Sequence, residues 1–170
     1  MIVTNTAAVE HISAALTPDA HLVCHPQDDG TYRLEVASGF EIALAAAAAA
    51  GPGAHLRAYA KRVRERTISA GCTVMVGGTP VQAWADSATR ADLNALVTAV
   101  GLGLITGTPW RGRDGTFTAL DAAGITALAS GVFAFVQAAF SQEAAVLADI
   151  ESGTITTSAE IDAAAWPSNS

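Results

Sequence analysis

A helical periodicity of apolar residues over the last third of the chain is its most constraining feature. From Asp121, which can cap a helix, to about Glu151, large apolar residues recur at steps of three and four, with Ala filling the one gap. A helix with one long apolar face needs other elements to cover that face, so this pattern predicts a central core helix. Its apolar positions are Ile125, Leu128, Val132, Val136, Phe140, Leu147 and Ile150.

Two hairpins are predicted ahead of this helix. Cys72–Val76 and Thr79–Gln82 are β-type runs separated by Gly77-Gly78, and two adjacent glycines suit the primed turns that join antiparallel strands. A second pair of runs, in which an Asp-Gly step again supplies a tight turn, follows the same logic. That second hairpin comprises Thr108–Arg111, the loop Gly112-Arg113-Asp114-Gly115 and Thr116–Leu120.

Helix signals surround the two hairpins. Ala54–Ala70 has an apolar stripe and a basic stripe and is followed by Gly71, a natural C-terminal cap. Asp86 or Ser87 can cap a helix that frays at 101–103. After Gly153, a capping box predicts a short last helix that stops at Trp166-Pro167. The box consists of Thr157 and Glu160.

The N-terminal part of the chain predicts a separate, smaller unit. A helix from Asn5 or Thr6 to Leu16 precedes a hairpin, and an Ala-rich helix spans Phe40–Ala50. Gly51-Pro52-Gly53 then interrupts the chain, so we expect domains at 1–51 and 54–170. The hairpin comprises His21–Cys24, the turn Gln27-Asp28-Asp29-Gly30 and Tyr32–Val36.

These elements predict an α+β fold. Two short β-hairpins would form a small antiparallel sheet packed on a long C-terminal helix plus a short terminal helix, beside a small N-terminal α/β unit. We expect residues 1–51 to serve as an attachment unit.

Composition removes several function classes. Nine Lys and Arg against 16 Asp and Glu give a net charge of −7, which opposes the binding of nucleic acid and anionic lipid.

The motifs of common binding sites are also missing from the sequence. His21 and His25 would lie about 13 Å apart on a strand, too far to share a metal ion. No phosphate loop, dinucleotide fingerprint or nucleophile elbow occurs, so we expect no cofactor, metal or small-molecule substrate. The most apolar stretch, Ala95–Ile105, is too short to span a membrane, and Met1–Asn5 has no basic segment ahead of an apolar one, so we expect no secretion leader.

Protein contact is the remaining expectation from the residues themselves. Trp110, Arg111 and Arg113 stand at the predicted second hairpin tip, and Trp and Arg are the residue types most enriched in binding hot spots. A basic helix face supplies the second candidate surface, and no Lys or Arg follows Asp114, so copies of the chain have opposite charges to pair. The basic candidates are Arg57, Lys61 and Arg64.

From Arg62 to Pro167 the chain resembles a domain of unknown function, number 4376, which is common in tailed-bacteriophage and prophage proteins. The resemblance rests on the stretch Gly71–Val81, Trp110, the turn within Asp114–Ala122 and the closing Trp166-Pro167. One position departs from the pattern: this chain has Ala83-Trp84-Ala85 where the family has an acidic residue.

The resemblance implies a non-enzymatic phage tail protein, a structural or adaptor component of the tail tip or tail fibre. Its partners would be other tail proteins and further copies of itself, and it would reside in the virion after synthesis in the bacterial cytoplasm. The alternative is a tail-fibre assembly chaperone that is absent from the mature virion. A glycan hydrolase is a third class, which would have to use Asp114 with Glu143 or Asp149.

Overall fold

The computed structural model describes residues 2–3, 9, 12–13, 15–16, 20–28, 32–49 and 53–168. Contacts divide the chain into two compact units, each contributed by two segments. The first unit comprises Met1–Ala60 and Leu147–Asp162, and the second comprises Lys61–Val146 and Ala163–Ser170.

The described elements form the predicted α+β fold. Strands are β1 (Ile2–Val3), β2 (Val23–Pro26), β3 (Tyr32–Glu35), β4 (Cys72–Val76), β5 (Thr79–Ala83), β6 (Gly107–Arg111) and β7 (Phe117–Asp121). Helices are α1 (Glu41–Ala49), α2 (Ala54–Ala70), α3 (Ser87–Gly101), α4 (Ala122–Ser152) and α5 (Ser158–Asp162).

The first unit contains a three-stranded antiparallel sheet in the order β1-β3-β2. Ile12, Leu34 and Leu44 are buried together and form its core. Strand β2 begins two residues later than predicted, because His21 has a φ of 45°, outside the extended region that a strand requires. Of the predicted helix from Asn5 or Thr6 to Leu16, the described residues Val9, Ile12, Ser13 and Ala15 are helical. The other residues of that helix before Leu16, and Asp29-Gly30 of the predicted turn, lie outside the described residues.

Two antiparallel hairpins occupy the second unit, as predicted, and each forms its own two-stranded sheet instead of sharing one small sheet. Strands β4 and β5 pair from Cys72 opposite Ala83 to Val76 opposite Thr79, and both loop glycines have positive φ, 56° and 86°. That combination defines a primed turn, which matches the twist of the strands. Strands β6 and β7 pair from Gly107 opposite Asp121 to Arg111 opposite Phe117, and their loop has five residues, Gly112–Thr116.

Helix α4 is the core helix of the second unit. Asp121 Oδ1 accepts a hydrogen bond of 2.7 Å from Gly124 N, so the predicted cap is present. Its predicted apolar positions Ile125, Leu128, Val132 and Val136 are at most 2% exposed and join the core formed with the hairpins.

Helix α4 also differs from expectation in two ways. Phe140, a predicted core position, is 43% exposed. Among the described helices α4 alone is long and apolar enough to cross a membrane by length and composition, and 39% of its most apolar 18-residue window is buried inside the protein. It is longer than Ala95–Ile105, the stretch that the sequence analysis singled out as the most apolar.

The predicted helix ends are also present. Helix α2 terminates at Gly71, which has a φ of 71° and donates its N–H to Ile68 O at 3.0 Å. Thr157 and Glu160 form the reciprocal capping box of α5, and hydrogen bonds from the Thr156 and Thr157 backbone lower the pKa of the Glu160 carboxyl. Helix α5 ends at Asp162, earlier than predicted.

Candidate protein-contact site

Side chains of the second hairpin alternate between a packed face and an exposed face. Along β6, Thr108 and Trp110 are partly buried, whereas Pro109 and Arg111 are exposed. Alternation is inherent to a strand, since successive side chains point to opposite faces. Trp110 and Arg111, neighbours in sequence, therefore do not belong to one surface.

Trp110 packs against the core of the second unit. Its indole Nε1 is buried and has no hydrogen-bond partner among the described residues. A contact residue would present its polar edge to a partner, as interfacial tryptophans commonly do. The structure thus gives Trp110 a packing role within the domain.

Arg111 lies on the exposed face opposite a large aromatic residue. It is paired in register with Phe117 of β7, and Phe117 is 67% exposed. Directly opposed residues in an antiparallel pair have Cβ atoms about 5 Å apart on the same face. The end of the hairpin therefore presents an arginine beside an exposed phenyl ring.

The hairpin loop docks on strand β5 of the first hairpin. Arg113 N donates a hydrogen bond of 3.3 Å to Gln82 O, and the Arg113 guanidinium lies 5.5 Å from the ring centroid of Trp84. This distance is within the range of cation–π attraction. Trp84 remains 46% exposed, so the pair leaves much of the indole open to a partner.

The loop is rigid through its own hydrogen bonds. Gly112 N donates to Thr116 O at 2.7 Å, and Asp114 Oδ1 accepts from Thr116 N at 2.9 Å. Asp114 therefore stabilises the turn, as its Asp-Gly pattern indicates. We call these two pairs of side chains, Trp84 with Arg113 and Arg111 with Phe117, the loop patch.

Arg113 also acts on a neighbouring thiol. Burial raises the pKa of the Cys72 thiol, and the positive charge of Arg113 partly opposes that rise. Cys72 is buried, whereas Cys24, in the first unit, is exposed. The pKa of the Cys72 thiol therefore depends on Arg113, so it reports in solution whether the loop is docked.

The basic residues predicted on helix α2 have different surroundings. Arg57 is exposed, and Lys61 is exposed with its Nζ 3.9 Å from Glu65. Arg64, by contrast, has only 13% of its side chain exposed: its Nε donates to Glu143 at 2.7 Å, and its guanidinium lies 4.5 Å from the Phe140 ring centroid. Arg64 therefore holds α2 against α4 within the second unit.

No group of three or more His, Cys, Asp or Glu that could hold a metal ion occurs in the described part of the chain. Two of the three carboxylates considered for hydrolysis have structural partners, since Asp114 caps the loop and Glu143 binds Arg64. An open groove of about 520 Å³ beside Trp110 contains one carboxylate, Asp92, within an otherwise largely apolar lining.

The second unit is thus an α+β domain in which two hairpins share a core with a long helix, and the second hairpin loop presents aromatic and arginine side chains. Residues 52–165 match the family described as Domain of unknown function (DUF4376), and the chain belongs to this family. The match begins within Gly51-Pro52-Gly53. No curated protein and no solved structure matches the chain.

The loop patch includes two of the six contact residues predicted from the sequence, and their role in binding stays a prediction. Arg111 and Arg113 were predicted as contact residues, whereas Trp84 and Phe117 were not. Phe117 points to the face of β7 opposite the buried Leu120, so strand periodicity could have identified Phe117 as exposed. Trp84 had one signal, its departure from the pattern of the resembled family.

Proposed function

We propose that this chain is a non-enzymatic bacteriophage tail protein, a structural or adaptor component that binds another tail protein through the loop patch. The observation that carries the attachment role is the exposed Trp84 beside Arg113, with Phe117 beside Arg111. The phage setting comes from the resemblance to tailed-phage and prophage proteins noted in the sequence analysis, and the matched family is itself described only as a domain of unknown function.

The chemistry of the loop patch fits a protein partner. Trp and Arg supply large contact areas together with hydrogen-bond donors, and residues of these types dominate binding energy at many interfaces. The hydrogen-bonded loop holds Arg113 before a partner arrives, which reduces the entropy lost on binding. Two arginines also complement an acidic or carbonyl-rich surface on the partner.

The first test is mass spectrometry, with copy number, on particles purified from the phage that encodes the chain. We expect the chain in stoichiometric amounts, in multiples of three or six. Its absence from particles together with its presence in the lysate would contradict the structural role and support the assembly-chaperone alternative.

The second test addresses the loop patch itself. We expect Trp84→Ala, and separately Phe117→Ala, to lower incorporation into particles by at least tenfold while the variants remain folded. Met75→Ala is the matched control, because Met75 is a 61% exposed apolar residue on the first hairpin, outside the patch. Equal incorporation of all three variants would show that the loop patch does not carry attachment.

A further inference from the structure

The outward face of helix α4 carries no charge over most of its length. Every exposed position from Thr126 to Ala145 is Ala, Ser, Thr, Gln or Phe. At about 1.5 Å per residue this stretch is about 30 Å long. Surface helices ordinarily have charged residues opposite the core, so this face is unusual. We call these exposed positions the neutral face.

Two phenyl rings stand on the neutral face. Phe133 is 38% exposed and Phe140 is 43% exposed, and a separation of seven residues puts both on the same side of a helix. The charges that border Phe140 are already paired, because Arg64 binds Glu143 while its guanidinium covers one side of the ring.

The neutral face is complementary to itself in side-chain size. Phe133 lies four residues before Gln137, and Ser141 lies four residues after it. In the same way, Ala134 lies three residues before Gln137 and Phe140 three residues after it. All five of these positions are exposed. A two-fold axis at Gln137, which relates two antiparallel helices, therefore sets each Phe against a small residue of the other copy. A parallel pair would instead set Phe against Phe.

We propose that the neutral face binds the neutral face of a second copy of this chain, as an antiparallel helix pair centred on Gln137. With a net charge of −7, copies repel one another at long range, and the neutral face adds no charge to that repulsion. The Gln137 amide both donates and accepts hydrogen bonds, so it can pair with its own counterpart across the axis. This interface is independent of the loop patch.

The size of the face sets the expected strength of the pair. A contact about 30 Å long and about 10 Å wide covers roughly 300 Å² on each copy, well below the roughly 800 Å² of a standard interface. The dimer is accordingly weak, with a dissociation constant on the order of 10–100 µM. In the multi-copy tail assembly of the proposed function, on which this point alone rests, an affinity of this order is sufficient.

Sedimentation equilibrium of the full chain, from about 5 µM to about 500 µM, tests the proposal, and we expect a monomer–dimer equilibrium. Ala134→Phe should abolish dimers, since the introduced phenyl ring would meet Phe140 of the other copy, and Phe140→Ala should weaken them at least tenfold. An equimolar mixture of the two variants should dimerise again, because each large side chain then meets a small one. Ala91→Phe, on an exposed position of α3, is the matched control and should dimerise like the unaltered chain.

Gln137→Glu is a second variant that does not depend on packing. It sets two carboxylates against each other on the axis, so dimers should be lost at neutral pH while circular dichroism stays unchanged. The proposal is overturned if the unaltered chain is monomeric throughout the range, or if mixing the two packing variants restores nothing. It is also overturned if the chain stays monomeric in buffer but co-sediments with phosphatidylcholine vesicles.

Discussion

Hairpins β4–β5 and β6–β7 are built alike but use their loops differently. Each pairs two five-residue strands antiparallel. Each also has a glycine against a carbonyl near the end of the opposite strand: Gly71 directly precedes β4, and Gly107 is the first residue of β6. The first loop is Gly77-Gly78 and has no side chain to offer, whereas the second has five residues and places Arg113 over Trp84. Loop length and composition, rather than the strands, give one hairpin a contact surface.

The largest loss of stability should come from Gly71→Ala, in the first hairpin. A Cβ at Gly71 would collide with the Ala83 carbonyl oxygen, and the φ of 71° is itself unfavourable for alanine. We expect the free energy of unfolding to fall by about 2–4 kcal/mol, measured by urea denaturation.

Two alanine substitutions separate the causes of that loss. Gly78→Ala has a φ of 86° but no atom within 4 Å, so it reports the cost of the backbone conformation, about 1–2 kcal/mol. Gly107→Ala has no positive φ, but its Cβ would lie 2.6 Å from Leu120 O. A loss at Gly71 no greater than that at Gly78 would show that the close approach to Ala83 is absent in solution.

The second-largest effect should distinguish Trp110 from Trp84. Trp110→Ala removes packing from the core of the second unit, and we expect it to lower the free energy of unfolding by about 2–3 kcal/mol. Trp84→Ala removes an exposed ring and a cation–π contact, which should cost about 1 kcal/mol or less. Chemical denaturation measures both, and the reverse order would place Trp110, not Trp84, on the surface.

Local sequence signals predicted the strands and helix ends well. Glycine pairs, Asp-Gly turns and capping residues act through neighbours a few residues away, so Asp121, Thr157 and Glu160 have the predicted hydrogen bonds. These interactions need no knowledge of the tertiary fold.

The candidate site was less predictable because its contacts are long-range. Arg113 reaches Trp84 only after one hairpin docks on the other, and Arg64 binds Glu143 across 79 residues of chain. Charge and periodicity identify these arginines as polar surface residues but carry no information about their partners. Strand alternation predicts which face Trp110 occupies only when the first residue of the strand and its register are known.

A smaller effect should follow from giving the second hairpin the loop of the first. Replacing Gly112–Thr116 by Gly-Gly removes the hydrogen bond from Arg113 N to Gln82 O and the contact with Trp84. We expect a loss of about 1 kcal/mol in the free energy of unfolding, together with loss of incorporation into particles. Replacing Gly77-Gly78 by Asn-Gly, another primed turn, is the control and should change neither quantity appreciably. If incorporation is retained after the loop replacement, the second hairpin loop does not provide the contact surface that was taken to distinguish it from the first.

The smallest effect joins the two hairpins through Cys72. Burial raises the pKa of this thiol above its ordinary value of 9.0, and Arg113 opposes the rise, so Arg113→Ala should raise it further. A pKa raised in the folded state means that stability is present below about pH 9 and is lost as pH rises through the folded-state pKa.

The free energy of unfolding between about pH 8 and about pH 11 should therefore fall more steeply for Arg113→Ala than for the unaltered chain, in a Cys24→Ser background. The other titratable side chains are the same in the compared chains, so their contribution to the slope cancels. Adding Cys72→Ala to both chains should remove the difference between their slopes, because no thiol then remains to sense the arginine. If Arg113→Ala leaves the slope unchanged while Cys72 is present, Arg113 is not held near Cys72 in solution, and the loop patch lacks the docked geometry on which its binding role depends.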